Sequence, residues 1–194
     1  TMHTLDHYVQ LARGLRRRGF ANLLVWGQDN KGAYRAWAIR DPETAYFLLS
    51  SSWGTTLWRH NAMLFGGTLF VWGYNRTVDL HAILVGSLLI PVLHYVDDFG
   101  CIEPEGLADS GFSAFSRVST RLGWRAEPDK HQRPATRHVI QGHYFSVGPA
   151  ADYATIEATE RRREHIEKTS LSHLHTRELP RKSAATLAGK SVHY

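Results

Sequence analysis

The chain has 194 residues, 43% of them hydrophobic, which is enough to bury one sizeable core, and its net charge of +5 favours a polyanionic partner. Its single cysteine, Cys101, excludes an intrachain disulfide framework, and the longest apolar run, 82–93, is too short to span a membrane and contains Gly86 and Pro91. No signal peptide or internal repeat is evident, so the expected location is intracellular, cytoplasmic or nuclear, and not secreted.

Residues 3–18 predict an amphipathic helix with Leu5, Tyr8, Val9, Ala12 and Leu15 on one side. It carries Arg16-Arg17-Arg18, which, like Arg161-Arg162-Arg163 further on, is able to meet phosphates or simply to solvate a helix face. Next, Leu23-Leu24-Val25-Trp26 predicts a buried strand with Asp29 at its end. The small pair Gly32-Ala33, then Tyr34 and a second apolar run to Ile39, follow it. Residues 41–65 hold two apolar runs separated by Ser50-Ser51-Ser52-Trp53-Gly54, the pattern of a β-hairpin, and lead into Leu64-Phe65-Gly66-Gly67.

Ile90-Pro91-Val92-Leu93 supplies β-branched and apolar residues after a proline that bars helix continuation. With His94-Tyr95-Val96-Asp97-Asp98-Phe99, Gly100 and the return run Cys101-Ile102, it predicts a tight hairpin with two adjacent carboxylates at its tip. In isolation, Asp-Asp-Phe-Gly is equally ordinary turn chemistry. Ser110 is suited to cap a helix with Phe112, Phe115, Val118 and Leu122 as its core stripe. Residues 155–169 are helical in propensity and heavily charged, and Pro180 suits the first turn of another helix running to Tyr194.

Asp-x-x-x-Ala-Tyr at 29–34 and Tyr-x-Asp-Asp at 95–98 resemble motifs A and C of the reverse transcriptase palm. Carboxylates from separate strands suit nucleotidyl transfer, whose transition state is crowded with negative charge that two divalent ions can neutralise and align. The resemblance implies an α+β fold, with a mainly antiparallel sheet bearing the acids on one face and helices on the other. It divides the chain into a palm at 1–150, with little or no fingers, and the start of truncated thumb or connection helices at 151–194.

The implied activity is RNA-directed DNA polymerisation, the transfer of dNTPs onto a primer 3′-hydroxyl. Its cofactor would be two Mg²⁺ ions, with Mn²⁺ as an alternative, on Asp29, Asp97 and Asp98, the last a less direct ligand. An RNA or DNA template-primer and dNTPs would be its partners, with no membrane involved. Lys130, in Glu127-Pro128-Asp129-Lys130, is similar to the motif D lysine that acts as general acid toward pyrophosphate; a solvated surface lysine is the plainer alternative. Gly32 and Ala33 would offer backbone amides to the triphosphate. Tyr34 would lie under the sugar and select deoxynucleotides, or simply pack as a strand aromatic. Phe65 and Gly66 resemble part of motif B, at the incoming nucleotide.

Tyr95 would contact the primer-template, and Gly142 and His143 resemble motif E, the primer grip. Gly189 and Lys190 resemble the thumb helix that meets the template-primer, although a helical glycine also serves helix packing. The stretch 68–76, ending Gly73-Tyr74-Asn75-Arg76, is similar to the tyrosine-recombinase class of retroelements.

Other classes fit less well. Asp98-Phe99-Gly100 has a kinase echo, but no Gly-rich loop, Val-Ala-Ile-Lys or His-Arg-Asp precedes it. His3 and His7 lack the glutamate of a His-Glu-x-x-His zinc site, and His173 and His175 lack cysteine partners, so all four are expected at the surface. A viral RNA-dependent RNA polymerase usually has Gly-Asp-Asp in motif C and a second acid where this chain has Gly32. The alternative from a different class is a catalytically decayed retroelement fragment that only binds nucleic acid.

Overall fold

The computed structural model describes residues 2–64, 68–148, 154–176, 178–181 and 183–184. Helix α1, Leu5–Arg17, opens at Thr4, whose backbone N–H donates to His7 Nδ1 at 3.0 Å. It buries Tyr8, Ala12 and Leu15 on one stripe, as the periodicity predicts. It leads into β1, Leu23–Asp29, one of the two inner strands of a four-stranded antiparallel sheet. The other strands are β4, Leu93–Tyr95, β5, Asp98–Pro104, and β6, Gln132–Ala135, in the order β4-β5-β1-β6. The expected α+β class and antiparallel sheet are what the chain forms.

Strand pleating separates the two faces of this sheet. Leu24, Trp26, Phe99 and Cys101 face one layer of helices, α2, Thr68–Gly86, and α3, Glu105–Arg121. The helices contribute Tyr74, Val78, Val85, Ala108 and Phe115 to that core. Leu23, Val25 and Ile102 face the other way, onto Tyr8, Ala12 and Leu15 of α1 and onto Phe145 and Val147. Asp29 and Asp98 have the parity of this second face, along which α1 also runs: Tyr8 packs over Gly100, and Leu5 and Asp6 of its first turn line a cavity with Asp98. Helices therefore lie on both faces, and the acids sit beside the start of α1.

Helix α3 begins at Glu105, five residues before the expected Ser110 cap, because it springs directly from β5 at Pro104. Ser110 lies within the helix, its hydroxyl donating to Leu107 O at 2.8 Å. Its buried stripe is Ala108, Gly111, Phe115 and Ser119, while Leu122 is exposed. Small residues face the sheet because Trp26 and Glu103 project into that space.

The hairpin expected at 41–65 forms as β2, Tyr46–Ser51, and β3, Gly54–Arg59, with every strand residue exposed. Strands β7, Arg137–Ile140, β8, His143–Ser146, and β9, Thr155–Ala158, make a third sheet. The charged helix read over 155–169 starts later, as α4, Glu160–Thr176, since Thr155–Ala158 satisfies its backbone by pairing with β8. That pairing also carries this sheet across position 150. Among the described residues, no helix is long and apolar enough to cross a membrane.

Candidate active site

The two strands that matter most, β1 and β5, pair in continuous register from Leu23 opposite Pro104 to Asp29 opposite Asp98. The acids therefore leave the sheet side by side, on the same face. Asp97 occupies the turn between β4 and β5, where Val96 takes a left-handed φ of 55°. The turn is tied to the end of β1, since Asn30 N–H donates to Asp97 O at 3.1 Å. Two residues inward from each acid stands a glycine, and Gly27 and Gly100 are also cross-strand partners. Gly100 makes room for the Tyr8 ring, which a Cβ there would strike, and a cavity of about 280 Å³ lies beneath the acids, lined among others by Gly27, Tyr8, Lys130, Gln132 and His138.

Desolvation, with like charge crowded beside it, sets the electrostatics. Asp98, although its side chain reaches solvent, is pushed up to about 6 by desolvation first and then by Asp97 and Asp29, with Lys130 opposing. Burial, reinforced by Asp29, likewise raises Asp97. The cation in the site is Lys130, whose Nζ donates to Asp29 Oδ2 at 2.5 Å and whose own pKa is raised by that bond. Its loop rides on β1, with Glu127 N–H donating to Asp29 O at 3.0 Å and Pro128–Lys130 forming a 3-10 turn.

Beyond Asp29, Gly32 has φ 75° and Ala33 φ 23°, and both open a 3-10 turn over Ala33–Ala36. Tyr34 is thus in a turn and not in a strand, 5% exposed, with its ring centroid 4.9 Å from that of Tyr74 on α2. On the other side, Tyr95, Asp98, Gln141, His143 and Arg162 line an open cavity of about 510 Å³. There Gln141 and Gly142 form the β7–β8 bend with φ of 50° and 76°, and His143 is buried. Phe65, Gly66, Gly189 and Lys190 lie outside the described residues.

Several surface expectations change. Arg16 Nη2 donates to Val147 O at 2.9 Å and Gly148 O at 3.3 Å, so this arginine pins a chain segment instead of facing phosphate. His3 and His7 are half-buried, His3 packing edge-on against the buried His94 ring, because the start of α1 folds onto β4. The sequence reading also missed Gly27, Gly100, Asn30 and Tyr74. For the glycines a signal was present, since each stands two residues inward from an acid and so shares its face.

Among the described residues, no three His, Cys, Asp or Glu side chains form a ready-made metal site. The donor set nevertheless suits a hard divalent ion. An ammonium already sits against Asp29, and Mg²⁺ is bound through one or two carboxylates with water and substrate phosphate completing the shell, without a closed protein cage.

No protein-family model and no curated protein matches this sequence. Solved structures do match the fold. The foamy viral protease-reverse transcriptase in complex with RNA/DNA hybrid aligns over 98% of this chain and 22% of its own, with TM-score 0.61 and 14% identity. Its dRH form in complex with double-stranded DNA aligns over 86% of this chain and 26% of its own, with TM-score 0.57 and 14% identity. A third structure, with double-stranded DNA, aligns over 76% of this chain and 30% of its own, with TM-score 0.56 and 15% identity. The fold is reverse-transcriptase-like, and the chain spans less than a third of the length of these three structures.

Proposed function

We propose that this chain is the palm of an RNA-directed DNA polymerase from a retroelement. What carries the reading is the pairing of Asp29 with Asp98 at one end of the β1–β5 ladder, with Asp97 in the adjoining turn and Lys130 on Asp29. Neighbouring carboxylates repel one another, and a cation brought to them stabilises the site. Two Mg²⁺ ions on Asp29, Asp97 and, less directly, Asp98, with Mn²⁺ as an alternative, would neutralise and align the reacting phosphate.

The remaining roles belong to the chain's own groups. Gly32 and Ala33 present backbone N–H groups to the triphosphate from their left-handed turn, and Tyr34 sits under the deoxyribose. Lys130, on an exposed stem, leaves Asp29 to deliver its Nζ proton to the departing pyrophosphate. Tyr95 and the Gly142–His143 bend flank the cavity that would take the primer end. Phe65 and Gly66 at the nucleotide, and Gly189 and Lys190 at the duplex, complete the proposal on resemblance alone. So does the tyrosine-recombinase class, drawn from a segment that here opens α2.

The test is primer extension on an RNA template with Mg²⁺ and dNTPs, using the full reading frame that carries this chain and an Asp97→Asn control. Extension by the wild type that the substitution abolishes, with the fold retained, is the expected result. Wild-type activity in the variant would remove the metal assignment. A folded protein that binds template-primer without extending it would favour the binding-only fragment.

A further inference from the structure

Asn30 follows Asp29 directly and is 8% exposed. Its backbone N–H holds Asp97 O, and its side-chain Nδ2 donates to the hydroxyl of Tyr74 at 3.2 Å. Tyr74 is fully buried on α2, with Tyr34 on one side and the Trp124 ring 6.1 Å away. One tyrosine thus touches the residue after Asp29 through its oxygen and Tyr34 through its ring. Between those two contacts lies the turn with Gly32 and Ala33, where Ala33, a non-glycine residue at φ 23°, holds a backbone that persists only when its surroundings over-determine it.

We infer that Tyr74 is a positioning residue for sugar discrimination, its hydroxyl bond to Asn30 and its ring under Tyr34 together fixing the height of the Tyr34 ring over the acid site. This rests on the polymerase reading. A 2′-hydroxyl is excluded by a ring only if the ring cannot retreat. Tyr34 abuts the Tyr74 ring, and Tyr74 in turn is anchored at its far end by a bond between two buried groups, which is costly to break. Removing the anchor lets both rings settle and opens room for the extra oxygen.

The experiment compares single-nucleotide incorporation of a deoxynucleotide and its ribonucleotide by wild type, Tyr74→Phe, Asn30→Ala and the double variant in the full reading frame. The readout is the ratio of the two kcat/KM values, in which the fraction of folded enzyme cancels, so a variant that is merely less stable does not move it. Each single variant is expected to lower discrimination about tenfold, chiefly through KM for the ribonucleotide, short of the roughly 100-fold that a 1 Å misplacement can cost. The double variant should lower it no further, because both substitutions break the same bond. An unchanged ratio in both single variants, with the wild type extending primers, overturns the role of Tyr74 and leaves the polymerase reading standing. A wild type that extends with neither nucleotide overturns both.

Discussion

Replacing Gly111 with alanine should damage this protein more than a buried methyl ordinarily does. A Cβ at Gly111 would meet both carboxylate oxygens of Glu103 and lie 2.6 Å from its Cδ. Glu103 is 5% exposed, and Trp26 Nε1 donates to its Oε2 at 2.6 Å, so the carboxylate cannot swing clear without giving up that bond. Overpacking costs about 1–3 kcal/mol, and a hydrogen bond to a charged group is worth about 1.5–3 kcal/mol. Alanine returns about 1 kcal/mol of helix propensity, which leaves a net loss of about 1.5–5 kcal/mol. Urea unfolding followed by far-ultraviolet circular dichroism measures it. The same substitution in a Glu103→Ala background should instead gain about 0.5–1 kcal/mol, because only propensity then remains. Equal effects in the two backgrounds, or a Gly111→Ala protein as stable as wild type, would refute the contact.

Two other outcomes follow from buried or tethered side chains. His81 is 1% exposed, stacked between Phe115 and Trp124, and desolvation lowers its pKa from 6.5 to about 4. The unfolded chain therefore binds a proton first as pH falls. Stability is fully present above pH 6.5 and declines toward pH 4, by about 3 kcal/mol in total. His81→Phe should flatten that slope in denaturant titrations at stepped pH, whereas an unchanged slope would assign it to other groups. Arg16→Ala should destabilise the fold by about 1–3 kcal/mol through its two lost carbonyl contacts. It should leave the salt dependence of nucleic-acid binding unaltered, while a slope reduced by about one would return Arg16 to the phosphate surface.

What the sequence disclosed was mostly local. The α1 stripe, the strand ending at Asp29, the exposed hairpin and the acid-tipped turn each follow from periodicity or turn chemistry within some twenty residues. What stayed hidden depends on partners far along the chain. On α3 the periodicity found Phe115, with Phe112 and Val118 packed beside it, but the face is centred by Trp26 and Glu103 from other strands, so Leu122 misled and Ala108, Gly111 and Ser119 did not stand out. Thr155–Ala158 becomes a strand because β8 has a free edge, which outweighs the charged helix-forming residues after it. Asn30 and Tyr74 are 44 residues apart and share no pattern that links them. His81, His94 and His143 are buried at 1%, 0% and 2%, although histidine is not a strong core signal.

The continuous pairing of β1 with β5 has a consequence for how the acid pair comes to exist. Two like charges placed opposite each other on a ladder repel, so the carboxylates of Asp29 and Asp98 are not what selects this register. The attraction comes from Leu23, Val25, Trp26, Cys101 and Ile102 further along, and the carboxylates arrive as passengers on a backbone ruler all seven residues of β1 long. A slip of one residue in β1 would turn its apolar residues to the wrong faces, and Asp29 with them. The core thus proofreads the site. An intermediate in which the strands have met out of register would hold no acid pair at all, and the carboxylates meet only when the whole ladder has closed.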